Sequence, residues 1–176
     1  MTEVPTTAAM AARAFGLDPG LLHSLGGASG SAWGIGRHVL RVGQPAVIAA
    51  EEAASRAAAA VVPVPRILDR ADLGPSSAVL LERLPGCPAV ELARLRPDLA
   101  AAAGRACGAV HARLAGIRAP AGLWAAPEAP PSPDPRLLHL DLHPFNILVN
   151  GQGELTGVLD WANAAAGDAV LDRART

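Results

Sequence analysis

The sequence predicts an α+β protein of two lobes, and three observations carry that reading. Strand-like stretches surround a single alanine-rich helix in the first half. An amphipathic helix follows over about residues 98–117, and short apolar strands with polar residues at their ends close the chain. The boundary is expected at 84/85, giving a small antiparallel-sheet lobe over 1–84 and a mainly helical lobe over 85–176. Of the 176 residues, 51% are apolar and 18% charged, enough for an ordinary globular core.

Taken in order, Thr6 or Thr7 is expected to cap a short helix running to Phe15, which Gly16 and Pro19-Gly20 break. A glycine-rich turn spans Leu25 to Gly36, and His38 to Val42 reads as the next strand. Pro45 opens a helix over about 46–60 that carries Glu51, Glu52 and Arg56. Val61 to Leu68 reads as a proline-punctuated strand and Ala78 to Leu84 as another, with Pro85-Gly86 a candidate hinge. Leu99, Ala103, Ala106, Val110, Leu114 and Ile117 recur at steps of three and four, one apolar stripe that belongs in a core. Pro120 to Pro135 reads as an irregular surface loop.

Composition excludes several classes. The formal charge is −1 and no Lys/Arg block stands against aromatic residues, so no nucleic-acid partner is expected. No apolar run approaches the ~18 residues of a membrane span, and the N-terminus lacks the apolar centre of a signal peptide; a cytoplasmic protein with no membrane partner is expected. Cys87 and Cys107 have no CxxC spacing and read as plain thiols. All 15 basic side chains are arginine, so any task usually given to lysine falls to arginine.

The chemistry concentrates in Leu137-Leu138-His139-Leu140-Asp141-Leu142-His143. Strict alternation would bury Leu138, Leu140 and Leu142 on one face and aim His139, Asp141 and His143 from the other. Asn146 follows before the apolar Ile147-Leu148-Val149, and Gly157-Val158-Leu159 leads into Asp160. An acid at the end of an apolar strand meets solvent or ligand on a rigid backbone. His139-x-Asp141-x-x-x-x-Asn146 with a later Asp160 is the pattern of a kinase catalytic loop and its metal-binding acid. Phosphoryl transfer needs a carboxylate beside the attacking hydroxyl, here Asp141, and hard oxygen ligands for Mg²⁺, here Asn146 and Asp160.

Leu138 to Leu148, Gly157 to Trp161 and Gly167-Asp168 resemble the aminoglycoside phosphotransferase, or phosphotransferase enzyme, family. The glycine-rich turn, Arg41, Pro63-Val64-Pro65, Leu81 to Gly86 and His111 follow in the family's order. The resemblance implies a protein-kinase-like fold and transfer of the ATP γ-phosphate to a hydroxyl of a small molecule, an aminoglycoside-like antibiotic or a metabolite. By position it implies Asp141 as base, with His139 beside it in the catalytic set, and Asn146 and Asp160 as Mg²⁺ ligands. Arg41 would contact phosphate, Glu51 or Glu52 would pair with it, and Ser29 and Ser31 would contact phosphate from the glycine-rich turn. Glu82, Arg83 and Leu84 would offer backbone hydrogen bonds to adenine. His139 is expected to brace the loop by hydrogen bonds as well.

The chain departs from the family at Leu140, where glycine is usual, and at Arg41, where lysine is usual. The family continues into helices that shape the acceptor pocket, whereas here sixteen residues follow Asp160, so the second lobe is expected to be incomplete. Two other classes compete. One is a truncated or inactive kinase-like nucleotide-binding protein. The other is a metal-dependent hydrolase with His139, Asp141 and His143 as ligands.

Overall fold

A computed structural model describes residues 4–26, 31–126 and 132–175. The chain divides into two compact units, Met1–Ala49 with Arg66–Arg83, and Ala50–Pro65 with Leu84–Thr176. The sequence reading places one boundary after residue 84; residues 50–65 nonetheless group with the second unit.

The first unit is built on a five-stranded antiparallel sheet of β1 (His23–Ser24), β2 (Ala32–Ile35), β3 (His38–Gly43), β4 (Ile67–Asp72) and β5 (Ser77–Glu82), ordered β1-β2-β3-β5-β4. The helix α1 (Thr6–Ala14) buries Ala8, Ala11 and Ala12 in one core with Trp33, Ile35, Leu40, Ala78 and Leu80. Small alanine faces let the helix approach the sheet closely. No threonine caps α1: Pro5 occupies the N-cap position and Thr6 is already helical. Proline at a helix start costs nothing, because its missing N–H would have had no partner there.

The strand expected over 61–68 is displaced to β4. Pro63 and Pro65 supply no N–H for a ladder, so residues 63–66 form no strand and pairing begins at Ile67. The irregular register between Ile67 and Asp69 and the exposed charges of this edge strand hid it from the sequence reading. The helix α2 (Pro45–Ala58) starts in the first unit and continues into the second, where Ala54 and Ala58 join the larger core.

In the second unit α3 (Ala89–Leu95) and α4 (Ala100–Leu114) enclose that core. The expected stripe is observed: Ala103, Ala106, Val110 and Leu114 are buried, with Leu99 and Ile117 packed against them. Two small sheets complete the unit. One is β6 (Cys87–Pro88), β8 (Ile147–Val149) and β9 (Leu155–Val158); the other pairs β7 (Arg136–Leu138) with β10 (Ala165–Gly167). A terminal helix, α5 (Val170–Ala174), follows β10. The loop from 120 to 135 lacks helix or named strand among its described residues, although Ala125 bridges to Ala166. Among the described residues no helix is long and apolar enough to cross a membrane.

Candidate functional site

The loop between β7 and β8 holds the predicted catalytic segment. The alternation expected over 137–143 stops early, because β7 ends at Leu138 and Leu140 turns to a left-handed backbone, φ 60°. Leu138, Leu140 and Leu142 are buried as expected. His139 is not on an open face; it is buried completely, at 0% exposure. The cause lies far along the chain: Asp172 of α5 accepts the N–H of His139 at 2.9 Å and that of Leu140 at 2.7 Å, which ends the ladder.

The His139 ring packs against Trp161, centroids 4.6 Å apart, and its Nε2 meets the Leu159 carbonyl at 2.9 Å. Burial lowers its pKa, outweighing the Leu159 bond and the fields of Asp172, Asp160 and Asp141. The ring is therefore neutral, with Nε2–H as donor to the carbonyl. That geometry matches the bracing expected of His139 and gives it no opening to a substrate.

Asp141 and His143 remain half-open, with side chains 36% and 40% exposed. The Asn146 Nδ2 donates to the Asp141 carbonyl at 2.9 Å and to its Oδ2 at 3.3 Å. The Phe145 N–H donates to His143 Nδ1 at 3.2 Å, which places the proton of a neutral ring on Nε2. That nitrogen lies 3.5 Å from Asp141 Oδ1. Asp141 is thus held at Oδ2 by Asn146 and has His143 beside Oδ1, and the carboxylate still meets solvent.

Asp160 is exposed at the end of β9, as its place in the sequence predicts. It holds φ 58° and ψ 70°, a left-handed conformation that aspartate adopts more readily than most residues. The preceding peptide ties it to the loop: Leu159 N–H donates to the Asn146 carbonyl at 2.8 Å, and Leu159 O receives His139. Behind it Trp161 is buried, its Nε1 on Val158 O at 3.3 Å.

The chemistry of this donor set suits Mg²⁺. Asn146 donates with its nitrogen, leaving an amide oxygen to coordinate, and Asp160 adds an exposed carboxylate. Mg²⁺ takes one or two such protein oxygens and completes its shell with water and phosphate.

The remaining predicted residues are distributed as follows. Arg41 on β3 donates from Nη1 to Ser31 Oγ at 2.6 Å, so these two predicted phosphate contacts meet. Ser29 lies outside the described residues. Glu51 and Glu52 lie on α2, half-buried. Glu82 ends β5, where its N–H is taken by Arg66 O at 2.9 Å, and the Arg83 N–H by Arg37 O at 3.3 Å. Those two amides are committed, so an adenine there would meet carbonyls or the Leu84 amide. Asp168 acts as a local cap, its Oδ1 accepting from Val170 N at 2.9 Å.

Sequence reasoning missed Asp172. Its only signal was an acid closing the apolar run Ala169-Val170-Leu171, and nothing local shows that it reaches back across thirty-two residues to Leu140. The hydrolase alternative does not survive. Its His139 ligand is sealed in the core, and among the described residues no three His, Cys, Asp or Glu side chains are grouped to hold a metal ion.

The model of the phosphotransferase enzyme family matches residues 118–176, the stretch that contains Asp141, Asn146 and Asp160. No curated protein matches the sequence. Among solved structures, a thermostable mutant of the aminoglycoside phosphotransferase APH(4)-Ia, in ternary complex with ADP and hygromycin B, has a TM-score of 0.67 at 18% identity; the match covers 97% of this chain and 76% of that one. The gentamicin complex of APH(2'')-IIa gives 0.65 at 11% identity, over 98% and 74%. An aminoglycoside-3'-phosphotransferase of type VIII gives 0.58 at 20% identity, over 98% and 83%. The kinase-like fold expected from the sequence is the fold of these enzymes.

Proposed function

We infer that the chain belongs to the phosphotransferase enzyme family and transfers the γ-phosphate of ATP to a hydroxyl of a small molecule. One observation carries the reading: a half-exposed carboxylate, Asp141, is held by Asn146 on its own loop, and the Asn146 carbonyl accepts from the N–H of Leu159, the residue before Asp160. The residues proposed as base and amide ligand are bonded to each other, and the proposed acid ligand follows the peptide bonded to that loop. The fold shared with enzymes solved with ADP, AMP-PNP, hygromycin B or gentamicin supports a nucleotide and an aminoglycoside-like acceptor.

In this mechanism Asp141 orients the acceptor hydroxyl and takes its proton as the oxygen attacks phosphorus. His143, its Nε2 3.5 Å from Asp141 Oδ1, would help set the orientation of the carboxylate. Asn146 and Asp160 would hold Mg²⁺, which when bound offsets phosphate charge. Arg41 would bind phosphate through its planar guanidinium, with Ser31 orienting it, Ser29 adding a hydroxyl and Glu52 or Glu51 balancing its charge. Glu82, Arg83 and Leu84 would meet adenine through backbone groups. His139 supports the loop from within the core and takes no part in proton transfer.

The test is ADP release by the purified chain with Mg-ATP across aminoglycosides, macrolides and amino alcohols. Asp141→Asn should lower turnover by at least about a hundredfold, the usual share of a general base, with the unfolding temperature kept. Equal turnover in that variant would remove Asp141 from the role. A second reading is nucleotide binding without transfer, favoured by arginine at position 41, where the family usually has lysine. Thermal stabilisation by ATP with no ADP release from any acceptor would establish it.

A further inference from the structure

We propose that Phe145 is a specificity-determining residue, the apolar wall against which an acceptor ring lies when its hydroxyl meets Asp141. The site thereby takes hydroxyls carried on a saturated ring, a pyranose or a cyclitol, in preference to those of acyclic amino alcohols. The inference rests on the phosphotransferase reading of Asp141. The chain has two phenylalanines and no tyrosine. Phe15 packs against the core of the first unit, whereas Phe145 is 64% exposed, the most open large apolar side chain among the described residues. Apolar residues scattered singly over a surface are ordinary. This one stands four residues after Asp141 and directly before Asn146, on the loop that an acceptor must approach.

Contacts lead from it to the base. His143 Nε2 lies 3.5 Å from Asp141 Oδ1, and the rings of His143 and Phe145 meet edge to face, centroids 5.7 Å apart. The main chain holds this corner at three points. Phe145 N–H donates to His143 Nδ1 at 3.2 Å, Asn146 N–H to His143 O at 2.9 Å, and Val90 N–H to Pro144 O at 3.3 Å. An aromatic side chain on so fixed a loop loses little freedom when a ligand covers it. The acceptor hydroxyl must come within hydrogen-bond reach of Asp141. A ring that carries it can extend past His143 and bury an apolar face on Phe145, whereas a short open chain has no such face. Between Asp141 and Asn146 there is no further acid, so this stretch offers an amine no countercharge beyond the base itself. Apolar contact is what it does offer.

The test compares Phe145→Ala with the wild type on hygromycin B and gentamicin, as ring acceptors, and on ethanolamine. The wild type should favour a ring acceptor, and the ratio of its kcat/KM to that for ethanolamine should fall at least about tenfold in the variant, with the KM for ATP within about threefold. Phe145→Trp, which keeps a flat apolar face, should hold the ratio within about threefold. A wild type that prefers ethanolamine would overturn the proposal. So would an equal loss on both acceptor classes, which a residue that merely steadies His143 would give. Saturation transfer from the protein's aromatic protons to the ring C–H protons of hygromycin B gives a readout without turnover. It should be present in the wild type and fall by at least about half in Phe145→Ala; no transfer, or equal transfer in both, would overturn the proposal. A wild-type chain that releases no ADP with any acceptor would remove the phosphotransfer reading, and saturation transfer would still decide whether Phe145 receives the ring.

Discussion

The side-chain amide of Asn146 donates to Asp141 twice, to the backbone carbonyl at 2.9 Å and to the carboxylate at 3.3 Å. One residue thereby fixes both the loop that carries the base and the base itself. Asn146→Asp replaces the donor by a second carboxylate against Oδ2, and like charges at that range resist joint ionisation. Turnover at pH 7 should fall at least about tenfold, and the acid limb of the pH–rate profile should move to higher pH. A profile that keeps its wild-type acid limb would show that the two side chains do not interact in solution.

Asp160→Asn tests the other proposed ligand. Asparagine tolerates the left-handed backbone as aspartate does, so the fold should be kept while an anionic oxygen is lost. The Mg²⁺ concentration for half-maximal turnover should rise about tenfold or more. An unchanged Mg²⁺ titration would assign that role elsewhere.

His139 supplies a pH dependence of stability. Its pKa is lowered in the folded chain by burial, so the unfolded chain binds the proton more readily. The associated stability is present in full above the unfolded value, about 6.5, and is lost as pH falls below it. His111, lowered mainly by desolvation, acts in the same direction. The urea midpoint should therefore decrease between pH 7.5 and 5.5, and His139→Leu should flatten that decline in part. A midpoint that rises on acidification would contradict the assigned direction.

Gly86 offers a test of the backbone. It holds φ 110°, and a Cβ there would lie 2.6 Å from both the Val149 carbonyl oxygen and Thr156 Oγ1. The carbonyl belongs to a paired strand and cannot retreat cheaply. Gly86→Ala should cost about 2 kcal/mol or more in chemical denaturation, from strain and clash together. A loss under about 0.5 kcal/mol, the range of ordinary surface changes, would mean that the segment shifts freely.

Much of the architecture was legible because it is local. The stripe from Leu99 to Ile117 declares its period, Pro45 marks a helix start, and the spacing of Asp141, Asn146 and Asp160 marks them as candidate site residues. What escaped depends on distant partners. Strict alternation over 137–143 was a sound inference from periodicity, but two amide bonds to Asp172 override it. Likewise β4 carries Asp69, Arg70 and Asp72 and pairs only because β5 lies beside it. His139 illustrates both sides: bracing was predicted from its place in the motif, whereas its complete burial against Trp161 follows from tertiary packing.

Leu159 is bonded to both Asn146 and His139, but only through its main chain, and its side chain is half-buried. The position is therefore chemically permissive and conformationally strict. Valine, methionine or isoleucine there should pass through mutagenic selection with activity kept, whereas proline, which lacks the N–H, should be purged. A saturation library at this codon would read as neutral drift with a single forbidden letter.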